Sequence, residues 1–234
     1  MITNYRNLLF FDLETTGLDY KKDRIIEIGI YNLIKTKKGI FELDKEVNYL
    51  VKYDGKLSEK IIELTNITDE MLRKKGIEEY KMVNEFISNI TDDTLLIAYN
   101  TQFDLNFITQ AIRRTFKKPK YSIKCNMLDV MAFYKDWYKY PHKLESAIKE
   151  LKITNASNSH RALDDAKATY QVLRKLFQIE EANFDDYINV FGYNPKYGVN
   201  YEIFKEITYT GQYGGSKEIK KYNDNMKGKM QNVK

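Results

Sequence analysis

Two carboxylates lie close together at the end of an apolar run near the N-terminus. Residues 10–17 read Phe-Phe-Asp-Leu-Glu-Thr-Thr-Gly, which places Asp12 and Glu14 two residues apart. Side chains two apart in a β-strand point to the same face, and two acids at the end of a buried strand are costly unless a cation lies between them. Mg²⁺ prefers such carboxylate oxygens. The pair predicts a divalent-metal site, the alternative being a strand that ends in an acidic turn.

Two later segments carry further groups of the same kind. The stretch Tyr-Asn-Thr-Gln-Phe-Asp at residues 99–104 places Asp104 in the first turn of a predicted helix, where the helix dipole alone would also favour an acid. His160 precedes Asp165 by five residues, a rotation of roughly 140° in an ideal helix. We therefore expect His160 in a loop or first turn and Asp165 within the helix, where they could converge on one site from two directions.

The elements that must position these groups follow from hydrophobic periodicity. Strands are predicted at 7–13, 24–34, 41–51, 94–99 and 121–125. Helices are predicted from 58 and from 68, and at 77–89, 101–115, 127–138, 143–151 and 161–177. The short links between the first three strands favour antiparallel neighbours, and the later alternation of helix and strand indicates an α/β fold with a mixed sheet covered by helices.

Length and composition limit the architecture and the compartment. At 234 residues, 43% of them hydrophobic, the chain can form one large domain or a domain with an extension. Turn formers and aromatic residues become frequent after Ile179, so we place a catalytic domain at 1–179 and an extension at 180–234, aromatic and glycine-rich and then lysine-rich.

The single cysteine, Cys125, excludes an intrachain disulfide and a cysteine cluster for zinc. The apolar run at 8–11 is too short for a signal sequence or a membrane span, so we expect a cytoplasmic protein with no membrane partner.

The positive charge is concentrated at the C-terminus. The net charge is +5, and residues 217–234 contain six lysines against Glu218 and Asp224, which leaves about +1 for the rest of the chain. This distribution favours an anionic partner such as nucleic acid, the alternative being a solvated terminus. The tyrosines of the extension either stack on bases or pack onto the catalytic domain, and the basic stretch at 113–120 either contacts phosphates or is a solvated helix end.

Three motifs in order resemble one enzyme family. They are Asp-x-Glu-Thr-Thr-Gly at 12–17, Asn-x-x-Phe-Asp at 100–104 and His-x-x-x-x-Asp at 160–165. Together they look like the DEDDh exonucleases, the DnaQ-like group that includes polymerase proofreading and RNA-trimming enzymes, over residues 8 to about 178. The resemblance implies a ribonuclease H-like fold, with a mixed five-stranded sheet flanked by helices and here followed by the C-terminal extension.

The resemblance also implies a role for each motif residue. The metal carboxylates would be Asp12, Glu14, Asp104 and Asp165. His160 would be the general base; the family's spacing selects Asp165 over its neighbour Asp164, and the other histidine, His142, would be structural. The substrate-binding residues would be Thr15, through its backbone N–H to the terminal 3′-hydroxyl, Leu18 against the last base, Asn100, and Phe103, which either stacks on a base or is a core aromatic.

The chemistry of these groups agrees with phosphodiester hydrolysis. Two divalent cations, Mg²⁺ or Mn²⁺, about 3.5–4 Å apart can activate a water and neutralise the leaving oxygen. Four acids suffice for two such ions, because Mg²⁺ keeps water and substrate among its ligands. A histidine with an ordinary pKa near ~6.5 can accept the water's proton. We predict a 3′→5′ exonuclease acting on the 3′ ends of single-stranded DNA or RNA, with DNA favoured and a DNA polymerase as a candidate partner. The alternatives are an RNA-trimming enzyme, a non-catalytic module that binds nucleic acid or a polymerase, and an editing subunit whose partner supplies specificity.

Overall fold

The structure is a computed structural model that describes residues 4–156, 158–179 and 181–231, with side chains described as far as residue 227. The strands are β1 (Asn7–Thr15), β2 (Ile25–Lys35), β3 (Phe41–Leu50), β4 (Thr94–Ala98), β5 (Asn126–Asp129), β6 (Val190–Tyr193) and β7 (Thr208–Gly211). The helices are α1 (Glu59–Thr65), α2 (Asp69–Lys75), α3 (Glu79–Ser88), α4 (Thr101–Phe116), α5 (Val130–Trp137), α6 (Leu144–Glu150), α7 (Ala162–Leu176) and α8 (Glu218–Gln231). Within this part of the chain, no helix has both the length and the apolar content needed to cross a bilayer.

The central sheet has five strands in the order β3-β2-β1-β4-β5. The first three strands pair antiparallel, as their short links predict, while β4 and β5 run parallel to β1. The sheet is therefore mixed, and β1 is its central strand. The carboxyl ends of β1 and β4 lie at the same edge, which is where β1 delivers Asp12 and Glu14.

Alternate residues of β1 face two separate cores. Leu8 and Phe10 pack in a cluster with Ala166 of α7, while Leu9 and Phe11 pack in a second cluster with side chains of α3 and α4. Asp12 and Glu14 continue the even-numbered series, so they point toward the α7 side of the sheet. The alternation that buries β1 on both faces thus also fixes the direction of the two acids.

One predicted strand was wrong. The stretch 121–125 is a loop, and the fifth strand is β5, which pairs with β4 from Asn126 to Asp129. The first residues of the helix predicted at 127–138 therefore belong to the strand, and α5 begins only at Val130. A buried strand of four residues has too few positions to show a period of two, so Met127 and Leu128 fit the helical pattern equally well.

The C-terminal segment packs onto the sheet and its helices. Its β6 and β7 form a small parallel pair, Phe191 is buried in the same core as α4, and Ile219 of α8 is buried in the core beside α7. The buried Asp136 of α5 accepts hydrogen bonds from the backbone N–H groups of Ile219 and Lys220, at 2.9 and 3.1 Å, and from the Gln212 side chain at 3.1 Å. The division of the chain into two domains at residue 179 stays a prediction.

Several of the basic residues set apart by the sequence form ion pairs. Arg113 binds Glu202 and Arg114 binds Glu79. The paired lysines of the C-terminal segment are Lys217 with Glu181, Lys220 with Asp224 and Lys227 with Asp186. Of the other lysines in this segment, the side chain of Lys229 and all of Lys234 lie outside the described residues. The charge of this segment is thus partly compensated within the fold.

Candidate active site

The last residues of β1 form the floor of the site. Asp12 pairs in register with Gly29 of β2, and Glu14 pairs with Glu27. The ladder is interrupted by a bulge between Glu14 and Thr15, and bulges re-aim the side chains beside them. The Thr15 side chain is buried, and its hydroxyl donates to the Gly17 carbonyl at 2.6 Å. Asp12 and Glu14 are half-buried, in keeping with a position at an open edge of the sheet.

Asp104 reaches this floor from the first turn of α4. Its carboxylate is only 3% exposed and accepts the backbone N–H of Leu13, between the two β1 acids, at 3.1 Å. The start of α4 is fixed by Asp129, a buried acid at the end of β5, which accepts the N–H groups of Asn100 and Thr101 at 3.0 and 3.3 Å. The ends of the neighbouring parallel strands β4 and β5 therefore determine where α4 begins and, with it, the position of Asp104.

His160 and Asp165 approach from the start of α7. His160 has a positive φ of 52°, which turns the chain sharply just before the helix. Asp165 is 4% exposed and accepts the Ser159 backbone N–H at 3.1 Å, whereas Asp164 is exposed to solvent. Ligand atoms of Glu14, His160 and Asp165 all lie within 4.8 Å of one another. The loop and the helix thus converge on one site from two directions.

A buried ion pair clamps α7 onto β2. Glu27 is 0% exposed; its carboxylate accepts both Nη2 and Nε of Arg161, the shortest contact being 2.6 Å, and the backbone N–H of Ala162 at 3.0 Å. Gly29 makes this approach possible, because a Cβ at that position would lie 2.1 Å from the backbone nitrogen of Leu163. Since His160 directly precedes the clamped residues, β2 determines where the histidine lies.

Burial and mutual repulsion raise the pKa values of the clustered acids. Burial, followed by the charges of Asp104, Asp165 and Glu14, raises the pKa of Asp12 well above its ordinary range. Burial, with the neighbouring charges of Asp165 and Glu27, raises the pKa of Glu14 to about 8. Burial also raises the pKa of Asp165 to about 7 against the hydrogen bonds it accepts, and is the main cause that raises the pKa of Asp104. Ionising these crowded carboxyls is unfavourable in free energy, and bound cations would reduce that penalty.

The donor set fits divalent cations. Four carboxyl groups converge without enough positive charge beside them to restore ordinary pKa values, even though Arg161 lowers that of Glu14. Oxygen donors of this kind are those chosen by Mg²⁺ and Mn²⁺. By contrast, His142 lies elsewhere: its ring nitrogen Nε2 is 2.9 Å from the Tyr138 carbonyl, and its own carbonyl accepts the Tyr99 hydroxyl.

The residues predicted to bind substrate are close to the acids in the sequence, and their role stays a prediction. Leu18 is 77% exposed in the loop between β1 and β2. Asn100 adopts the left-handed conformation, with a φ of 67°, immediately before α4. Phe103 is half-buried, packing against Phe107 with ring centroids 4.8 Å apart. Phe103 also packs against the core cluster that contains Phe107, and its stacking on a base stays a prediction.

Two residues that position the site were not found from the sequence, and a third, Tyr201, was predicted only as one of the tyrosines that stack on bases or pack onto the catalytic domain. Asp129 and Glu27 position α4 and α7, and Tyr201 lies against Phe103. The signal for Glu27 was present, because β2 alternates Ile26, Ile28 and Ile30 with an acid and a glycine on the opposite face. Asp129 carries no such local signal, because its contacts form only in the folded chain.

Comparison with known proteins agrees with the motifs. The RNase_T exonuclease family model matches residues 9–173. The PolC-type DNA polymerase III of Clostridium perfringens is 34% identical over 204 residues, covering 83% of this chain and 13% of the polymerase. The Thermotoga maritima polymerase of the same type is 33% identical over 174 residues, covering 72% of this chain and 12% of that protein. The chain therefore spans about an eighth of the length of these curated relatives.

Solved structures show the same fold. Escherichia coli Exonuclease I in complex with a dT13 oligonucleotide matches with a TM-score of 0.63 and 21% identity, over 75% of this chain and 41% of that one. The zinc-bound form of the E. coli Exonuclease I complex with single-stranded DNA matches with a TM-score of 0.64 and 21% identity, over 78% and 42% of the two chains. The mixed five-stranded sheet flanked by helices is the ribonuclease H-like arrangement that the motifs implied.

Proposed function

The chain belongs to the RNase_T exonuclease family, with the motifs of its DEDDh members, and we propose that it hydrolyses single-stranded nucleic acid from the 3′ end. The products would be nucleoside monophosphates, and DNA is the favoured substrate. One observation carries the proposal: Asp12, Glu14, Asp104, His160 and Asp165 come from three distant segments and meet at one edge of the sheet.

Two divalent cations, Mg²⁺ or Mn²⁺, are the proposed cofactors. Asp12, Glu14, Asp104 and Asp165 would hold them, since these are the carboxyls whose pKa values burial and crowding raise. When bound, such ions supply charge neutralisation on the phosphate and favour an ionised water. The Leu13 N–H, which lies between the two β1 acids, holds one oxygen of Asp104 beside them and leaves its other oxygen without that donor.

His160 is the proposed general base. Its side chain is half-buried, with a ring nitrogen within 4.8 Å of ligand atoms of Glu14 and Asp165, so it has access to solvent water beside the proposed metal ligands. The clamp between Glu27 and Arg161 holds the loop that carries it. Thr15 and Leu18 are proposed to receive the terminal nucleotide, Thr15 through its backbone N–H beside the bulge and Leu18 through its exposed side chain.

The preference for DNA rests on the relatives. The PolC-type DNA polymerases III of C. perfringens and T. maritima are 34% and 33% identical to this chain, and E. coli Exonuclease I was solved in complex with a dT13 oligonucleotide. A DNA polymerase is accordingly the proposed protein partner. RNA trimming is the alternative within the same chemistry, and a non-catalytic binding module is the alternative outside it. Against the latter, all five proposed catalytic residues are present in the chain.

Incubation with end-labelled single-stranded DNA and RNA tests the proposal. With Mg²⁺ or Mn²⁺, a 5′-labelled DNA strand should shorten from its 3′ end in single-nucleotide steps, and EDTA should abolish the reaction. Asp12→Ala is the matched control for a contaminating nuclease. Faster shortening of RNA than of DNA would reverse the substrate assignment. Equal cleavage by wild type and Asp12→Ala, or no metal-dependent cleavage of either strand, would refute the proposed function.

A further inference from the structure

An aromatic cluster borders the acids, and one of its members lies outside the part of the chain that matches the family. Tyr201, between β6 and β7, lies with its ring centroid 6.2 Å from that of Phe103 and 6.2 Å from that of Tyr20. Phe103 directly precedes Asp104 on α4, while Tyr20 follows Leu18 in the loop after β1. Tyr201 therefore bridges the two walls between which the proposed terminal nucleotide would lie.

Polar contacts of the next residue hold Tyr201 in this place. The Glu202 carboxylate forms a bidentate pair with Arg113, with both N···O distances 2.7 Å. The Glu202 backbone N–H donates to Asn106 at 3.2 Å, and its carbonyl accepts from the Gln102 side chain at 3.3 Å. All three partners are on α4, the helix that carries Asp104. The position of Tyr201 relative to the acids is therefore set by the same rigid element.

The environment of Tyr201 is that of a contact surface rather than a filled core. Its side chain is half-buried, so part of the residue remains accessible. Burial, followed by the charge of Asp104, raises the pKa of its hydroxyl, so the ring stays neutral throughout the ordinary pH range. The Phe103 and Tyr201 rings meet at 85°, an edge-to-face contact that leaves one face of each ring turned away from the other.

We propose that Tyr201 is a specificity-determining residue that contacts the 3′-terminal base of a single strand, completing with Phe103 and Tyr20 an aromatic pocket for that base. The inference rests on the proposed function for the identity of the ligand. Every nucleobase has a π-face, so such a pocket accepts all four bases and rejects an end that has no base. The C-terminal segment thereby forms part of the substrate site.

Binding to two oligonucleotides tests the inference without catalysis. The probes are 5′-fluorescein-labelled single strands of thymidylate, one with an ordinary 3′-terminal nucleotide and one with an abasic 3′-terminal sugar. Affinities are measured by anisotropy in Ca²⁺ for the full chain and its variants. Tyr201→Leu should weaken binding of the ordinary strand by roughly 5- to 150-fold, the range of aromatic–base stacking. The same variant should change binding of the abasic strand less than twofold, because that end has no base to lose.

Matched variants separate stacking from a structural role. Tyr201→Phe keeps the ring and should bind both strands as the wild type does. Tyr197→Leu removes an exposed tyrosine from the same segment and should leave both affinities unchanged. Tyr201→Met serves in place of Tyr201→Leu if the latter does not fold, with the same expected result. Equal weakening toward the two strands would show that Tyr201 only supports the fold and would overturn the inference, as would unchanged affinity for the ordinary strand.

The two proposals fail in different ways. Absence of metal-dependent nucleotide release by the wild type refutes the proposed function, whatever the anisotropy shows. Two other outcomes leave the function standing and overturn the role of the Tyr201 ring, provided that the wild type releases nucleotides. In the first, the effect of Tyr201→Leu on affinity does not differ between the ordinary and the abasic strand. In the second, Tyr201→Phe loses as much affinity for the ordinary strand as Tyr201→Leu does.

Discussion

Replacing Glu14 by Gln should make the metal-free protein more stable while removing its activity. Glu14 has a pKa of about 8 in the folded chain, against an ordinary value of 4.5, because it is buried beside Asp165 and Glu27. The folded state therefore binds this proton more tightly than the unfolded state does. Stability is undiminished below pH 4.5, falls as the pH rises from 4.5 to 8, and is lowest above pH 8.

The size of the effect follows from the same values. A rise in the pKa of Glu14 from 4.5 to about 8 lowers the free energy of unfolding by at most about 5 kcal/mol above pH 8. Each tenfold change in proton affinity contributes about 1.4 kcal/mol. Solvent reaches the half-buried side chain and screens part of this repulsion, so we expect Glu14→Gln to gain about 1–3 kcal/mol at pH 9. At pH 5 the gain should be below about 1 kcal/mol, since most of the penalty has not yet developed.

Urea unfolding in EDTA at pH 5 and pH 9 measures both values. The control is Glu27→Gln, a change of the same kind on the cross-strand partner of Glu14. Because Glu27 is fully buried and accepts hydrogen bonds from Arg161 and the Ala162 N–H, its variant should lose about 2–3 kcal/mol. Mg²⁺ should then stabilise the wild type more than Glu14→Gln. The reasoning is refuted if Glu14→Gln is no more stable than the wild type at pH 9, or if its gain is the same at both pH values.

Three further outcomes are expected. Asp12→Ala should lower kcat on single-stranded DNA by three orders of magnitude or more without changing the circular dichroism spectrum; an unchanged rate contradicts the metal site. His160→Ala should lower kcat with little change in oligonucleotide affinity, whereas His142→Ala should leave kcat near that of the wild type; comparable losses would remove the assignment of the base. Asp136→Ala removes the buried carboxylate that accepts from Gln212 and from the start of α8, so it should lower the free energy of unfolding in urea by about 2–4 kcal/mol. The C-terminal segment of this variant should also become sensitive to limited proteolysis, and resistance equal to that of the wild type would argue against this anchor.

The sequence was most informative where spacing and structure coincide. Asp12 and Glu14 lie on one face because β1 is regular as far as Glu14, before its bulge, and the five-residue offset of His160 and Asp165 places one in a loop and the other in a helix. β5 could not be located, because four residues of a buried parallel strand show no period. Glu27 and Tyr201 contact residues 134 and about 100 positions away, and although local patterns mark both residues, no local pattern identifies such distant partners.

The clamp between β2 and α7 also has a consequence for biosynthesis. Glu27 and Arg161 are 134 residues apart, and Leu13 and Asp104 are 91 apart, so the contacts that assemble the site join segments synthesised far apart in time. A ribosome adding 5–20 residues per second needs roughly 3–12 s for the stretch of about 60 residues between Asp104 and Asp165. During that interval the nascent chain carries three of the four acids but neither the histidine nor the helix that anchors it. Hydrolytic competence should therefore appear in one step, when the last segment of the domain docks on the sheet.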